Sequence, residues 1–127
     1  MVKLEFSRAS GRLIQKCSAR AQSCGSGGIA VVCSVTAAQT MPRLGVTCIR
    51  VQNDQGADVE TVWNTDSRRG GMMGFRCSRH SVTEEICLPP GVYTAVVTFF
   101  ARDSGGSDSV TCRTNAVTVT APKEYSD

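Results

Sequence analysis

Residues 67–80 hold most of the side chains in this chain that could do chemistry. Arg68, Arg69, Arg76 and Arg79 fall within twelve residues with no acid after Asp66, so the stretch carries four positive charges in a chain whose net charge is +3. The planar guanidinium fork binds carboxylate, phosphate or sulfate through two parallel hydrogen bonds. Gly70, Gly71 and Gly74 loosen the backbone, and Met72, Met73 and Phe75 offer adaptable apolar contacts. The segment reads as a recognition loop for an anionic partner, with those four arginines, the two methionines and Phe75 as binding candidates. In the competing reading Met72, Met73 and Phe75 fold back onto the core, and the arginines merely solvate an edge strand.

Catalytic chemistry finds less to work with. His80 is the only histidine and has no acidic partner nearby beyond Glu84 and Glu85, so no base-orienting triad is legible. Cys77 and His80 are two residues apart and Cys87 follows after six more, which supplies only half of the paired spacing of a closed zinc site. The turn-rich segments 53–58 and 103–108 lack the acidic spacing of a calcium loop and read as Asx-type turns. Glycines 25, 27 and 28 precede a strand, which is the wrong context for a phosphate loop. These readings point to a protein that is not an enzyme, with no catalytic residue, metal or other cofactor. Nucleic acid is disfavoured, because Phe75 alone interrupts the arginines where a stacking platform needs several aromatic faces.

Seven cysteines, at 17, 24, 33, 48, 77, 87 and 112, are all disulfide candidates, and an odd count leaves one thiol for burial or intermolecular pairing. Their density favours an oxidising compartment, secreted or at the cell surface, with any signal peptide already removed. The alternative is an intracellular chain with reduced thiols. The leading pair is Cys77 with Cys87, on the expectation that a hairpin between them brings their Cα atoms within reach. Cys17 and Cys24 are expected to staple an N-terminal segment, 1–28, to itself or to a sheet edge. Cys33, Cys48 and Cys112 sit inside expected strands. No apolar run is long enough to span a bilayer, so no membrane insertion is expected.

The elements that must position these groups are strands. Val, Thr and Ile number 15, 12 and 4 against 4 Leu, and branching at Cβ suits a pleated sheet better than a helix. Alternating apolar residues predict strands over 29–36, 44–51, 58–65, 75–77, 82–88, 92–101 and 109–120, the last broken at Asn115. Met41-Pro42 is expected to end the first of these. The strand at 92–101 has two apolar faces, as if covered on both sides. The expected fold is all-β, an antiparallel two-sheet β-sandwich of seven to eight strands in one domain spanning 1–127, with a frayed tail at 121–127.

Within that pattern, Pro90-Gly91-Val92-Tyr93 resembles the tyrosine corner of immunoglobulin and fibronectin type III-like sandwiches. Trp63 is similar to their core tryptophan, Cys33 or Cys48 to the cysteine of the second strand, and 111–120 to the closing strand. The likeness implies Trp63 and Tyr93 as core landmarks. It departs where Ala95 replaces the usual cysteine two residues after the tyrosine, so the family's inter-sheet bridge cannot form there. Sandwich architecture, the missing catalytic constellations and the cysteine usage point to a recognition or adhesion module, and the arginine stretch to a protein or anionic glycan as its partner; the likeness is one of fold and assigns no ligand. The alternatives are a structural protein assembled through strand edges or a homodimer joined by the odd cysteine, and a small inhibitor or toxin-like effector.

Overall fold

The computed structural model describes residues 7–8, 13–25, 27–64 and 71–120, and every regular element among them is a β-strand. In chain order these are β1 (Ser7–Arg8), β2 (Ile14–Ser23), β3 (Gly28–Asn53), β4 (Asp58–Trp63), β5 (Met73–Cys87), β6 (Gly91–Asp103), β7 (Gly106–Arg113) and β8 (Val117–Val119). All pairings are antiparallel and belong to one sheet, whose main path runs β1-β2-β3-β6-β7. Strands β4 and β5 add to β3, and β8 adds to β6. The all-β antiparallel class is as expected, but the strands form one sheet curled into a half-barrel.

The curl originates in β3. Its first half pairs with β2 on one edge and with β5 on the other, from Gly28 opposite Cys87 to Thr36 opposite Arg79. Its second half pairs with β6 from Arg43 to Asn53, and on the other edge with the start of β5 and then β4. Between the halves β3 advances from Thr36 to Met41 while β5 advances only from Arg79 to Cys77. An excess of residues on one strand bends it and increases its twist. Pro42 follows this corner, opposite the left-handed Arg76 but paired with no residue of β5 or β6, so its missing N–H removes no ladder bond. The expected strand end at Met41-Pro42 is therefore corrected. Segments 29–36 and 44–51 are the two halves of one 26-residue strand.

Period-two alternation then directs one face of every strand inward. Ile29, Val31, Cys33 and Val35 from the first half of β3, and Leu44, Val46, Ile49 and Val51 from the second, share one cluster with Val97 and Phe99 of β6. Tyr93 is buried there, and its Oη donates a 2.6 Å hydrogen bond to the Pro89 carbonyl, pinning the turn to the start of β6. Trp63 does not join the core. It ends the edge strand β4 and is 48% exposed, because it falls on the outward parity in register with Cys48. In β6 the parity of Phe100 and Val92 also faces outward, so this strand is central in the plane of the sheet yet has one open face.

The ends of the curl meet at a seam between β2 and β7. The Asp108 carboxylate accepts from the Leu13 and Ile14 amides at 2.9 and 3.0 Å. Beyond β7, Asn115 makes a two-point contact with Ala21, its Oδ1 accepting from the amide at 3.0 Å and its Nδ2 donating to the carbonyl at 2.9 Å. Side chains thus do here what a strand ladder does elsewhere. Asn115→Ala strands both main-chain groups of the nearly buried Ala21, and a loss of about 1–2 kcal/mol is expected, read as a lower urea midpoint at unchanged m-value.

Two turns follow the expected chemistry. Asn53 Oδ1 accepts from the Gln55 and Ala57 amides at 2.9 and 3.0 Å, and Gly56 takes φ +81° in the same turn. Asp103 Oδ1 accepts from Gly105 N at 2.8 Å. One expectation about the cysteines changes. Residues 14–23 form a full strand, so Cys17 belongs to β2. Cys77 and Cys87 lie on one continuous strand, in register with Met41 and Gly28, and ten extended residues span about 33 Å, so they cannot bridge. The tail at 121–127 lies outside the described residues.

Candidate functional site

Among the described residues, the outward face of the second half of the sheet holds the exposed aromatics Phe75 and Trp63 together with several exposed arginines. Four strands place Phe75, Arg43, Arg102 and Ser107 in one cross-strand row, on β5, β3, β6 and β7 respectively. All four are exposed, Phe75 by 62%. The Arg43 guanidinium carbon stands 5.6 Å from the Phe75 ring centroid, within cation–π range. The next row outward along the same parity carries Met73, Gly45 and Phe100, and the one after it Trp63, Cys48 and Thr98. An apolar track of partly exposed side chains therefore runs from Phe75 toward Trp63, with cations at its Phe75 end.

Local structure sets which cations are available. Arg50 at the far end is bridged to Asp58 at 3.3 Å, and Asp58 also accepts from Gln52 at 3.0 Å. The Gln52 bond and then the Arg50 guanidinium hold the Asp58 carboxyl below the usual range. Arg113 donates to Gln52 and Thr94 at 3.1 and 3.4 Å. Arg43 and Arg102, by contrast, have no carboxylate partner among the described residues. Both guanidinium forks are open to an external anion, and the aromatic face beside them lowers the solvation that a bound anion must displace.

The start of β5 is held in place by close packing. Met72 is fully buried and its carbonyl accepts from Val46 N at 2.8 Å. Gly45 lies beneath, where an added Cβ would meet the Met72 carbonyl and would sit 2.7 Å from Met73 Cα. His80 Nε2 bonds the Gly71 carbonyl at 2.7 Å, so the ring carries its proton on that nitrogen and anchors the entry to β5. Gly74 packs against the His80 ring and Cys77 Sγ, where no Cβ would fit. Arg76 adopts φ +54°, a left-handed residue that resets the strand between outward Phe75 and half-buried Cys77.

The binding candidates of residues 67–80 separate accordingly. Phe75, Arg76 and Arg79 are exposed and Met73 is half-buried. Met72 is in the core, so its assignment as a contact residue is corrected; alternation from Phe75 points it inward. Arg68 and Arg69 lie outside the described residues. The stretch after Gly71 is strand rather than loop. Arg43 and Arg102 were missed, since each stands alone in sequence among apolar or turn residues, and only the register joins them to Phe75. Their signal was parity: each occupies the outward position of an otherwise apolar strand.

Elsewhere among the described residues no group of three or more His, Cys, Asp or Glu side chains is placed to hold a metal. An open depression of about 500 Å³ lies on the other half of the sheet, lined by Ser18, Ala19, Arg20, Val32, Ser34 and Asn115, with one cation and no aromatic. No helix of the described residues is long and apolar enough to cross a membrane. In comparisons with known proteins, no family model matches the chain and no curated protein matches its sequence.

Proposed function

We propose that this chain is a non-enzymatic recognition module that binds an anionic glycan on the outward face of β5, β3 and β6. The observation that carries the reading is the row Phe75, Arg43 and Arg102, in which an exposed ring stands beside one guanidinium group, a second follows on the next strand, and neither has a carboxylate partner among the described residues. Arg76 and Arg79 extend the positive surface along β5. Sulfate or carboxylate groups suit the guanidinium forks, and the apolar track beside them suits the non-polar faces of sugar rings. The immunoglobulin-like sandwich remains part of the proposal. It is supported by two halves of a curled sheet packed on one core and by the Tyr93 bond to Pro89. So does a secreted or surface location, supported by cysteine number.

The assembly alternative has weaker support. The outer edge of β5 is unpaired among the described residues, but it carries Arg76, Arg79, Glu84 and Glu85 and a left-handed residue. Charges and irregularities of this kind protect an edge from pairing with another copy.

The proposal is tested by retention on an immobilised sulfated polysaccharide. The Arg43→Ser/Arg102→Ser double variant is expected to weaken affinity about tenfold and to elute at lower salt, as loss of two exposed charge-assisted contacts implies. Equal elution of the variant and the parent would remove the face from consideration. Retention of the parent by single-stranded oligonucleotide alone would replace the glycan with nucleic acid.

A further inference from the structure

The seam between β2 and β7 holds more than hydrogen bonds. Cys17 projects inward from β2 and Cys112 inward from β7, 95 residues apart in sequence, with their Sγ atoms 3.2 Å apart and both side chains almost fully buried. We propose that Cys17 and Cys112 form a disulfide that covalently closes the half-barrel across this seam.

The geometry favours this pair over the other cysteines. A bonded pair is about 2.05 Å apart, so the sulfurs need to approach by only about 1.2 Å, with no change in strand register. Cys33 lies close by, its neighbour Ala19 on β2 being two positions from Cys17. Burial, then the nearby Cys112 and Glu84, push the Cys33 thiol up to about 12 in the folded chain. Asp108 and Asn115 fix β2 and the strand end around β7 on either side of the sulfur pair.

The reaction is a thiol–disulfide exchange with a small-molecule disulfide such as oxidised glutathione. One thiol loses its proton and attacks the small disulfide, releasing one small thiolate and leaving a mixed disulfide. The second thiolate then attacks the protein sulfur of that mixed bond and expels the other half. One protein S–S bond forms, two S–H bonds are lost, and the two electrons and two protons leave on two small thiols. Because both sulfurs are buried, the exchange takes place as β2 and β7 dock during folding. The bond then closes a long chain loop, which restricts the unfolded chain strongly.

Refolding the full chain with oxidised and reduced glutathione, alkylating in denaturant without reductant, and digesting with trypsin tests this directly. Cleavage at Lys16, Arg20, Arg102 and Arg113 isolates Cys17 in the peptide 17–20 and Cys112 in 103–113, apart from Cys33. The expected product is a linked 17–20/103–113 pair that separates on reduction, together with a thermal midpoint that falls by roughly 10 °C when reductant is added. Cys33→Ser should keep both properties and Cys17→Ser should lose both. Alkylation of Cys17 and Cys112 in denaturant after oxidative refolding of the parent, or linkage of Cys112 to the peptide bearing Cys33, overturns the proposal even if Cys17→Ser fails to fold.

Discussion

Phe99→Ala is expected to lower stability by about 3–5 kcal/mol, the largest effect of any single truncation considered, while Phe100→Ala costs about 1 kcal/mol. Phe99 is fully buried and heads the ranking of buried side chains by size; it stands in β6 between Val46 of β3 and Val110 of β7. Removing its ring leaves a void among residues fixed on three hydrogen-bonded strands, which collapse poorly into it. Domains of this size are stable by only about 5–15 kcal/mol, so the variant loses a large share of its margin. Phe100 is half-exposed on the opposite parity. Urea denaturation followed by circular dichroism separates the two, and equal losses would mean that the inward and outward faces of β6 are wrongly assigned.

Gly45→Ala is expected to cost about 3 kcal/mol and to abolish glycan binding together with it. The new methyl would meet the Met72 carbonyl and Met73 Cα, both backbone, which cannot rotate away as a flexible side chain does. The first residues of β5 must then lift from β3, breaking the 2.8 Å bond from Val46 N to the Met72 carbonyl and carrying Phe75 away from Arg43. Gly71→Ala is the matched control. Nothing lies within 4 Å of the Cβ it would add, and a change below about 0.5 kcal/mol is expected. Denaturation midpoints and retention on the sulfated matrix, measured for both variants, check the coupling between this junction and the face.

The strand content was legible because β-branched residues and period-two alternation are local signals. Val97 and Phe99 of β6, the break at Asn115 and the Asx turns at Asn53 and Asp103 all lie where alternation and turn chemistry put them. What escaped was non-local. Met41-Pro42 looks like a strand end because proline removes a donor, yet at a bulge no donor is needed and β3 runs on. Residues 75–77 and 82–88 look like two strands because their parity breaks, and the break is the register shift between Cys77 and Arg79, opposite Met41 and Thr36, inside one strand. The Cys77–Cys87 pair fell with that misreading. Trp63 looks like a core residue by type and sits outside because β4 is an edge strand whose outward parity includes it.

The site was half legible for the same reason. Phe75, Arg76 and Arg79 stand in one basic stretch and are exposed. Arg43 and Arg102 come from strands 59 residues apart in sequence, and only the antiparallel register of β3 with β6 makes them neighbours. Likewise Cys17 and Cys112 carry no spacing signal, since the seam that joins them exists only once the sheet has curled.

Docking of an anionic glycan on the outward face of β5, β3 and β6 can be read by titrating the isotope-labelled full chain with a sulfated oligosaccharide and mapping amide shift changes. Changes are expected to concentrate at Arg43, Phe75 and Arg102 and to be lost in the Arg43→Ser/Arg102→Ser variant. Changes centred instead on Ser18, Arg20 and Ser34 of the opposite half, or no saturable change at any amide, would contradict it.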